Sequence, residues 1–252
     1  MANRVEVIGV PGIPNVNKGD DLASMIQAAA SGNGIDIQEN DIIVVTQKIV
    51  SKSEGATVDL NTVIPSPFAM QIALKYDKDP RHVEVVLNES VRIVRMGHGV
   101  IISETRHGFI CANAGVDASN ISNADILCLL PKDPDESARR IRADLIKQLG
   151  FNVSVIITDT FGRPWRHGTT DVAIGVSGIE PLKDYRGLVD PYGYPIRVSI
   201  SAVVDEIASA AELVAGKVDM IPMVIVRGYE YKISESSSIS QLIREPESDL
   251  FR

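Results

Sequence analysis

The sequence contains few of the residues that build redox, zinc or disulfide sites. Its 252 residues include two cysteines, Cys111 and Cys128, and four histidines scattered along the chain. Two cysteines make neither a disulfide framework nor a zinc pattern, and the histidine spacing matches no histidine-ligated zinc motif. Both cysteines lie in apolar runs, so we predict small buried side chains in a protein of a reducing compartment.

Long apolar runs and an excess of positive charge are also missing. No apolar run approaches the roughly 18–20 residues of a membrane span, and the chain enters a strand pattern at 4–10 without the features of a signal peptide. The formal net charge of −8 argues against non-specific nucleic-acid binding. We therefore expect a soluble, cytoplasmic protein that binds neither membrane nor nucleic acid. An anionic ligand would need locally placed Lys or Arg side chains or metal ions.

The familiar nucleotide and hydrolase motifs are absent as well. The chain has no G-x-x-x-x-G-K-[ST] loop, and "SGNGIDI" lacks the third glycine of a dinucleotide fingerprint. It has no H-E-x-x-H zinc motif and no G-x-S-x-G elbow. Several common enzyme classes are therefore excluded.

The hydrophobic pattern predicts strands and helices that do not alternate regularly, which favours an α+β fold over a doubly wound sheet. Buried strands are predicted at 41–46, 153–157 and 221–228, and a further strand at 196–200. A helix is predicted to begin at a cap on Asp20 and to end near Gly32. The clearest helix follows Asp133, with Pro134 in its first position and Glu136 closing a capping box.

Three polar clusters follow predicted strands directly. "VTQKIVSKSEG" contains Lys48 and Lys52, "CANAGVDASN" contains Asp117, and "ITDTFGRPWRHGTTD" contains Asp159 and Thr160. Each cluster has an ordinary alternative: the aspartates are also suited to helix N-caps, and the lysines to the solvated face of a short helix. A rigid strand end is equally a place that presents side chains to a ligand.

Together the clusters have one chemical use. Carboxylates with a hydroxyl are hard oxygen ligands that suit Mg²⁺ or Mn²⁺, and lysines beside such ions neutralise phosphate oxygens. Arg163 and Arg166 offer planar forks for a phosphate or carboxylate, whereas core packing is the more usual fate of a single tryptophan such as Trp165. These residue types favour a metal–phosphate site, although sequence separation alone does not show that they converge.

Five blocks in register resemble one known family, the coenzyme F420-0:L-glutamate ligases. They are "SKSEG", "CANAGVDASN", "DTFGRPWRHGTTDVAIGVSGIEPLKDYRG", "DEIASAAELVAGK" and "IPMVIVRG". The resemblance runs from about residue 4 to residue 230. It implies one ligase module over residues 1–252, made of two interwoven α+β subdomains that share a mixed, largely antiparallel sheet. It also implies a homodimer and the stand-alone form typical of archaea.

The resemblance further implies a GTP-dependent ligase. Such an enzyme adds L-glutamate to coenzyme F420-0, then a second glutamate through a γ-linkage, by way of an acyl phosphate. The family requires Mg²⁺ or Mn²⁺, with two ions as the usual number, and potassium is expected to help.

Site residues carry over from the family motifs position by position. Asp117 and Asp159 would ligate one metal and Thr160 the second. GTP would contact the residues Ile13, Pro14, Asn15, Val16, Gln47, Lys48, Lys52, Asn120, Ala215, Gly216, Lys217, Val218, Asp219, Met220 and Ile221.

Position 217 departs from the family pattern, which places Gln or Glu there as a ligand of the second metal. An ammonium cannot ligate a cation. Either Asp219 replaces the missing ligand, or Lys217 itself takes over part of the charge neutralisation.

The resemblance names no general base for the glutamate amine, and Asp171, Glu54 and His167 are the candidates in the sequence. Three other functions fit the same residues. A metal-dependent phosphohydrolase would use the same aspartates without an acceptor amine, a nucleotide sensor would bind GTP without turnover, and a related amide ligase would act on another carboxylate.

Overall fold

The computed structural model describes residues 4–118 and 125–250. The strands are β1 Glu6–Gly9, β2 Ile42–Thr46, β3 Thr57–Asp59, β4 Ser90–Gly97, β5 Val100–Thr105, β6 Ile110–Ala112, β7 Ile126–Cys128, β8 Ser154–Gly162, β9 Thr169–Ser177, β10 Leu182–Asp184, β11 Ile200–Ala202 and β12 Met223–Arg227. The α-helices are α1 Leu22–Gly32, α2 Gln47–Glu54, α3 Pro67–Tyr76, α4 Pro80–Asn88, α5 Pro134–Leu149 and α6 Val203–Ala215. Single turns of 3-10 helix occur at Leu60–Thr62, Asn113–Gly115, Ile239–Leu242 and Pro246–Ser248.

The central sheet has the strand order β1-β12-β2-β8-β9. Only β2 and β8 run parallel; the other three pairings are antiparallel. Strands β2 and β12 consist mainly of valine and isoleucine and are buried along almost their whole length, as expected for strands covered on both faces. Strand β8 is buried over its first five residues. The predicted α+β class with a mixed, largely antiparallel sheet is therefore confirmed.

The hydrophobic core has two clusters. The larger joins the central sheet to α1, α5 and α6. The second lies within residues 58–129 and is built from α3, α4 and the strands β3, β4, β5 and β7, with Ile72, Val83 and Leu127 almost fully buried. The prediction that residues 1–252 form a single ligase module stays a prediction.

Helix α5 is positioned by its termini. Asp133 caps it by accepting a hydrogen bond from the Glu136 N–H, and Gly150 ends it in the left-handed conformation. The reciprocal half of the predicted capping box is replaced by a salt bridge from Glu136 to Arg139. The helix approaches β9 so closely that a Cβ at Gly175 would collide with the Pro134 carbonyl, which explains a glycine inside this strand.

Two other local predictions are corrected. The cap of α1 is Asp21, which accepts from the Ser24 N–H, while Asp20 instead accepts from the Asn17 N–H in the preceding turn. The predicted strand at 196–200 is an irregular segment, and only Ile200–Ala202 pairs in a strand. This segment borders a loop rich in glycine and proline, which cannot sustain a long hydrogen-bonded ladder.

Both cysteines are buried free thiols, as predicted. Burial raises the pKa of Cys111 to about 12 and that of Cys128 to about 11. Within residues 4–118 and 125–250, none of the helices is both long and apolar enough to cross a membrane.

Candidate active site

The carboxyl ends of the two parallel strands open into a cavity of about 260 Å³. Thr46 at the end of β2 lies opposite Thr158 in β8, and both line the cavity. In sheets with parallel strands, ligands bind beyond the carboxyl ends of those strands. The cavity therefore lies where this topology favours a binding site.

Helix α2 presents its first turns to this cavity. Lys48 and Lys52 are four residues apart, so they share one helix face, and both line the cavity together with Gln47. This face of the helix is therefore turned towards the cavity, and whether the two lysines bind a ligand there stays a prediction. Gln47 is 1% exposed, and its side-chain carbonyl accepts a hydrogen bond from Ser51 at 2.8 Å. Its amide nitrogen is buried with no hydrogen-bond partner among the described residues.

The acidic side of the site is centred on Asp159, which is partly buried. Burial is the main reason that its pKa is raised to about 7; Asp117 and Asp171 also raise it, whereas the Thr160 N–H and Lys48 lower it. The three carboxylates therefore share one electrostatic neighbourhood. Lys48 forms a salt bridge with Asp117 at 2.8 Å, so positive charge from α2 reaches this acidic side.

A second charged cluster surrounds Thr160. Its hydroxyl donates to Asp171 Oδ1 at 2.7 Å, and the Lys217 ammonium donates to the same two oxygens at 2.8 and 2.9 Å. Glu212 Oε1 lies 3.0 Å from the same ammonium. Burial alone would lower the pKa of Lys217, but its hydrogen bonds to Asp171 and Glu212 raise it above the ordinary lysine value.

The structure brings most of the predicted site residues together around one cavity. Those on its lining are Ile13, Pro14, Asn15, Val16, Gln47, Lys48, Lys52, Asp159, Thr160, Ala215, Gly216, Lys217, Val218, Met220 and Ile221. Asp117 is connected through its salt bridge to Lys48, and Asp219 lies close to Gly216 without being part of the lining. Asn120 lies outside the described residues. The role of these residues in binding GTP and metal stays a prediction.

The hairpin formed by β8 and β9 carries two arginines and a tryptophan near its turn, and none of the three lines the cavity. Arg163 donates to the carbonyls of His167 and Gly168, so its guanidinium holds the β8–β9 turn. Trp165 at the tip of that turn is 81% exposed with a positive φ of 59°. The expectation of core packing for this tryptophan is therefore wrong. Neither arginine of the hairpin lines the cavity.

The sequence does not predict two members of the Lys217 cluster. Asp171 is predicted only as one of three candidate bases, and no predicted role falls on Glu212. Asp171 could have been found by pairing the two predicted strands, because β8 and β9 place it directly opposite Thr160. That register includes an irregularity at Ile157/Thr158, which the sequence pattern does not reveal.

The donor set suits one hard cation beside Asp117 and Asp159. In residues 4–118 and 125–250, no three His, Cys, Asp or Glu side chains are grouped as a metal site. Two carboxylates suit Mg²⁺ or Mn²⁺, which usually keep water or phosphate oxygens as further ligands. A second ion at Thr160 does not fit this arrangement, because the Lys217 ammonium lies 2.8 Å from the Thr160 hydroxyl oxygen and 2.9 Å from Asp171 Oδ1, where such an ion would have to bind.

Comparison with known proteins identifies the family. The sequence profile described as F420-0:gamma-glutamyl ligase matches residues 12–228. The chain is 45% identical to the coenzyme F420:L-glutamate ligase of Methanothermobacter thermautotrophicus over 250 residues, which cover 98% of this chain and 99% of the relative.

Two further relatives carry the same name. The ligase of Methanopyrus kandleri is 45% identical, with 96% of each chain covered. The ligase of Methanocaldococcus jannaschii is 43% identical, with 99% of this chain and 97% of the relative covered. The chain therefore belongs to the F420-0:gamma-glutamyl ligase family.

Proposed function

We propose that this protein is a GTP-dependent ligase that joins the amine of L-glutamate to the carboxylate of coenzyme F420-0. The observation that carries the proposal is the cavity at the ends of β2 and β8, where Lys48 and Lys52 face Asp159 and Thr160. A chain of this family combines there the cations that a triphosphate needs and the carboxylates that a divalent ion needs.

The nucleotide binds over the start of α2. The amino end of a helix attracts phosphate groups, and Thr46 makes no capping bond that would occupy the N–H groups there. The Gln47 amide nitrogen is a buried donor without a partner among the described residues, and a ligand oxygen would satisfy it. Loop 13–16 and segment 215–221 complete the walls of this cavity.

One Mg²⁺ or Mn²⁺ is held by Asp117 and Asp159. Burial and the neighbouring carboxylates raise the pKa of Asp159 to about 7, so a cation relieves an unfavourable concentration of negative charge. When bound, such an ion neutralises phosphate oxygens and stabilises the charge that develops during phosphoryl transfer. Potassium acts as a further activating cation.

The reaction has two steps. The γ-phosphoryl group of GTP passes to the coenzyme carboxylate to give an acyl phosphate and GDP, because a free carboxylate is a poor electrophile. The glutamate amine then attacks the acyl carbon, and phosphate leaves. Lys52 holds the phosphates close to the acceptor, and the attacking amine must lose a proton to a base or to water. A second glutamate is then added through a γ-linkage.

The protein acts as a homodimer. Large apolar side chains are exposed along the segment that precedes β11, including Tyr192, Tyr194 and Val198. Aromatic side chains such as these tyrosines are enriched at protein interfaces. Sedimentation of the purified protein tests this part of the proposal, and a species of one-chain mass at micromolar concentration would reject it.

The decisive experiment is a product assay. Purified protein is incubated with GTP, Mn²⁺, L-glutamate and F420-0, and the coenzyme product is weighed by mass spectrometry. We expect one and then two added glutamyl groups, with one GDP and one phosphate released for each. GTP cleavage that needs neither glutamate nor coenzyme would instead indicate a phosphohydrolase. GTP binding without turnover would indicate a sensor, and glutamylation of another carboxylate would indicate a related ligase.

A further inference from the structure

The Lys217 ammonium lies inside a ring of protein oxygens. Its nitrogen is 2.8 Å from Thr160 Oγ1, 2.9 Å from Asp171 Oδ1 and 3.0 Å from Glu212 Oε1. A lysine ammonium has three N–H donors, and these three oxygens can engage all of them. One hydroxyl and two carboxylates are the ligand types that a hard divalent cation uses.

The backbone fixes this ammonium at the end of α6. Gly216 ends the helix with a φ of 60°, a left-handed value that favours glycine. Its N–H donates to the Glu212 carbonyl at 3.0 Å. The turn returns Lys217 towards Glu212 on the last turn of the helix, whose carboxyl end favours a positive charge. Lys217 is therefore held where a cation is stabilised by both side chains and helix.

Two of the three oxygens, those of Thr160 and Asp171, are also held by contacts that do not involve the lysine. Asp171 and Thr160 lie opposite one another in the β8–β9 pairing, and the hydroxyl of Thr160 donates to Asp171 at 2.7 Å. The Asp171 side chain is only 8% exposed. Without the ammonium, the buried Asp171 carboxylate and the Glu212 carboxylate would both lose the cation that they share, which is electrostatically costly.

We propose that the Lys217 ammonium is a tethered cation that takes the place of a metal ion between Thr160, Asp171 and Glu212. It supplies one fixed positive charge beside the nucleotide cavity and needs no ion from solution. The inference rests on the proposed function for the role of that charge next to the phosphates. The position of the ammonium itself depends only on the contacts given above.

The test is to count bound Mn²⁺ rather than to measure turnover. Wild type and Lys217→Gln are titrated with Mn²⁺ in potassium-free buffer, and free Mn²⁺ is followed by electron paramagnetic resonance. Each titration is run with and without a non-hydrolysable GTP analogue. Lys217→Gln removes the ammonium and adds an amide oxygen. A Mn²⁺ ion can then occupy the position of the ammonium and bind to oxygen ligands.

Two variants control for other effects. Lys232→Gln makes the same chemical change in a solvent-exposed lysine that pairs with Glu180. Lys217→Arg keeps a positive charge at the position. Lys217→Met removes the ammonium without adding a ligand, and it replaces the Gln variant if that one does not fold.

We expect Lys217→Gln to bind one more Mn²⁺ per chain than the wild type, whereas Lys232→Gln and Lys217→Arg bind the wild-type number. The same rise is expected for Lys217→Met, at a higher Mn²⁺ concentration. An unchanged count in the Lys217 variant, or an equal rise in the Lys232 control, overturns the inference. The absolute count in the wild type tests the Asp117–Asp159 ion of the proposed function separately, because only the difference between variants bears on Lys217.

Discussion

The contact between Lys217 and Asp171 predicts a measurable coupling energy. The two charged groups meet at 2.9 Å, with the Asp171 side chain 8% exposed and the Lys217 side chain 51% exposed. A hydrogen bond between charged groups contributes about 1.5–3 kcal/mol when shielded from water, and an exposed ion pair only about 0.2–1 kcal/mol. Because one partner is buried and the other half-exposed, we expect a coupling of about 1–2 kcal/mol between these limits.

A double-mutant cycle measures this coupling directly. The free energy of unfolding in urea is determined for the wild type, Lys217→Met, Asp171→Asn and the double variant, without metal or nucleotide. Asp171→Asn keeps the shape of the side chain, so its amide oxygen can still accept from Thr160. With a denaturant slope of about 3 kcal/mol/M, the expected coupling corresponds to a midpoint difference of about 0.5 M.

A matched cycle on the surface provides the control. Lys232 and Glu180 approach only to 3.5 Å, and the Lys232 side chain is 80% exposed, so their coupling should stay below about 0.5 kcal/mol. Equal couplings in the two cycles would refute the reasoning. They would mean that solvent screens the Lys217 ammonium as fully as an ordinary surface lysine.

Four further predictions concern the site and the stability of the fold. Asp159→Asn should lower ligase turnover at limiting Mn²⁺ by about a hundredfold or more. The thermal stability of the metal-free protein should hold or rise, because burial raises the pKa of this carboxyl to about 7 and its charge opposes folding. Lys52→Ala should weaken binding of a GTP analogue by about tenfold or more, measured by calorimetry, because a charged phosphate contact is lost. Arg142→Met should lower the free energy of urea unfolding by about 1–3 kcal/mol, since the buried Val153 carbonyl loses its donor; Glu235→Gln, on the exposed side of the same arginine, should cost less than about 1 kcal/mol. Burial lowers the pKa of His107, so the unfolded chain takes up a proton at this residue more readily than the folded protein does. The free energy of unfolding should therefore fall as the pH drops below about 6.5. His107→Gln should lose less of this free energy than the wild type between pH 7.5 and 5.5.

Each of these four predictions has a result that would contradict it. Full turnover of Asp159→Asn at limiting Mn²⁺ would show that Asp159 is not a metal ligand. Unchanged nucleotide affinity in Lys52→Ala removes that lysine from the phosphate site. Equal losses of unfolding free energy in Arg142→Met and Glu235→Gln would show that the hydrogen bond to the buried Val153 carbonyl contributes no more than the exposed ion pair. Parallel pH profiles for wild type and His107→Gln would show that burial of the imidazole has no influence on the pH dependence of the unfolding free energy.

The sequence was sufficient for most of the local structure and for the residue types of the site, whereas the cap of α1 and the strand at 196–200 were predicted wrongly. Buried runs such as residues 42–46 and 223–227 became strands because their composition allows burial on both faces. Asp133 and Gly150 bounded α5 because a capping carboxylate and a left-handed glycine act within a few residues of themselves. The polar cluster after β2 was also identifiable, since it follows its strand directly. The cluster with Asp159 and Thr160 was identifiable because it follows the apolar run 153–157, although β8 continues through it to Gly162.

Only the tertiary structure decided which of these polar groups meet. The parallel pairing of Thr46 with Thr158 joins two clusters that are more than a hundred residues apart. The ring around Lys217 requires the β8–β9 register and the last turn of α6 at the same time. Such partners are selected by packing over long sequence separations, and a local pattern carries no information about them. The sequence alone therefore determined which residue types are available for a site, and the folded arrangement determined that an ammonium is the cation beside Thr160 and Asp171.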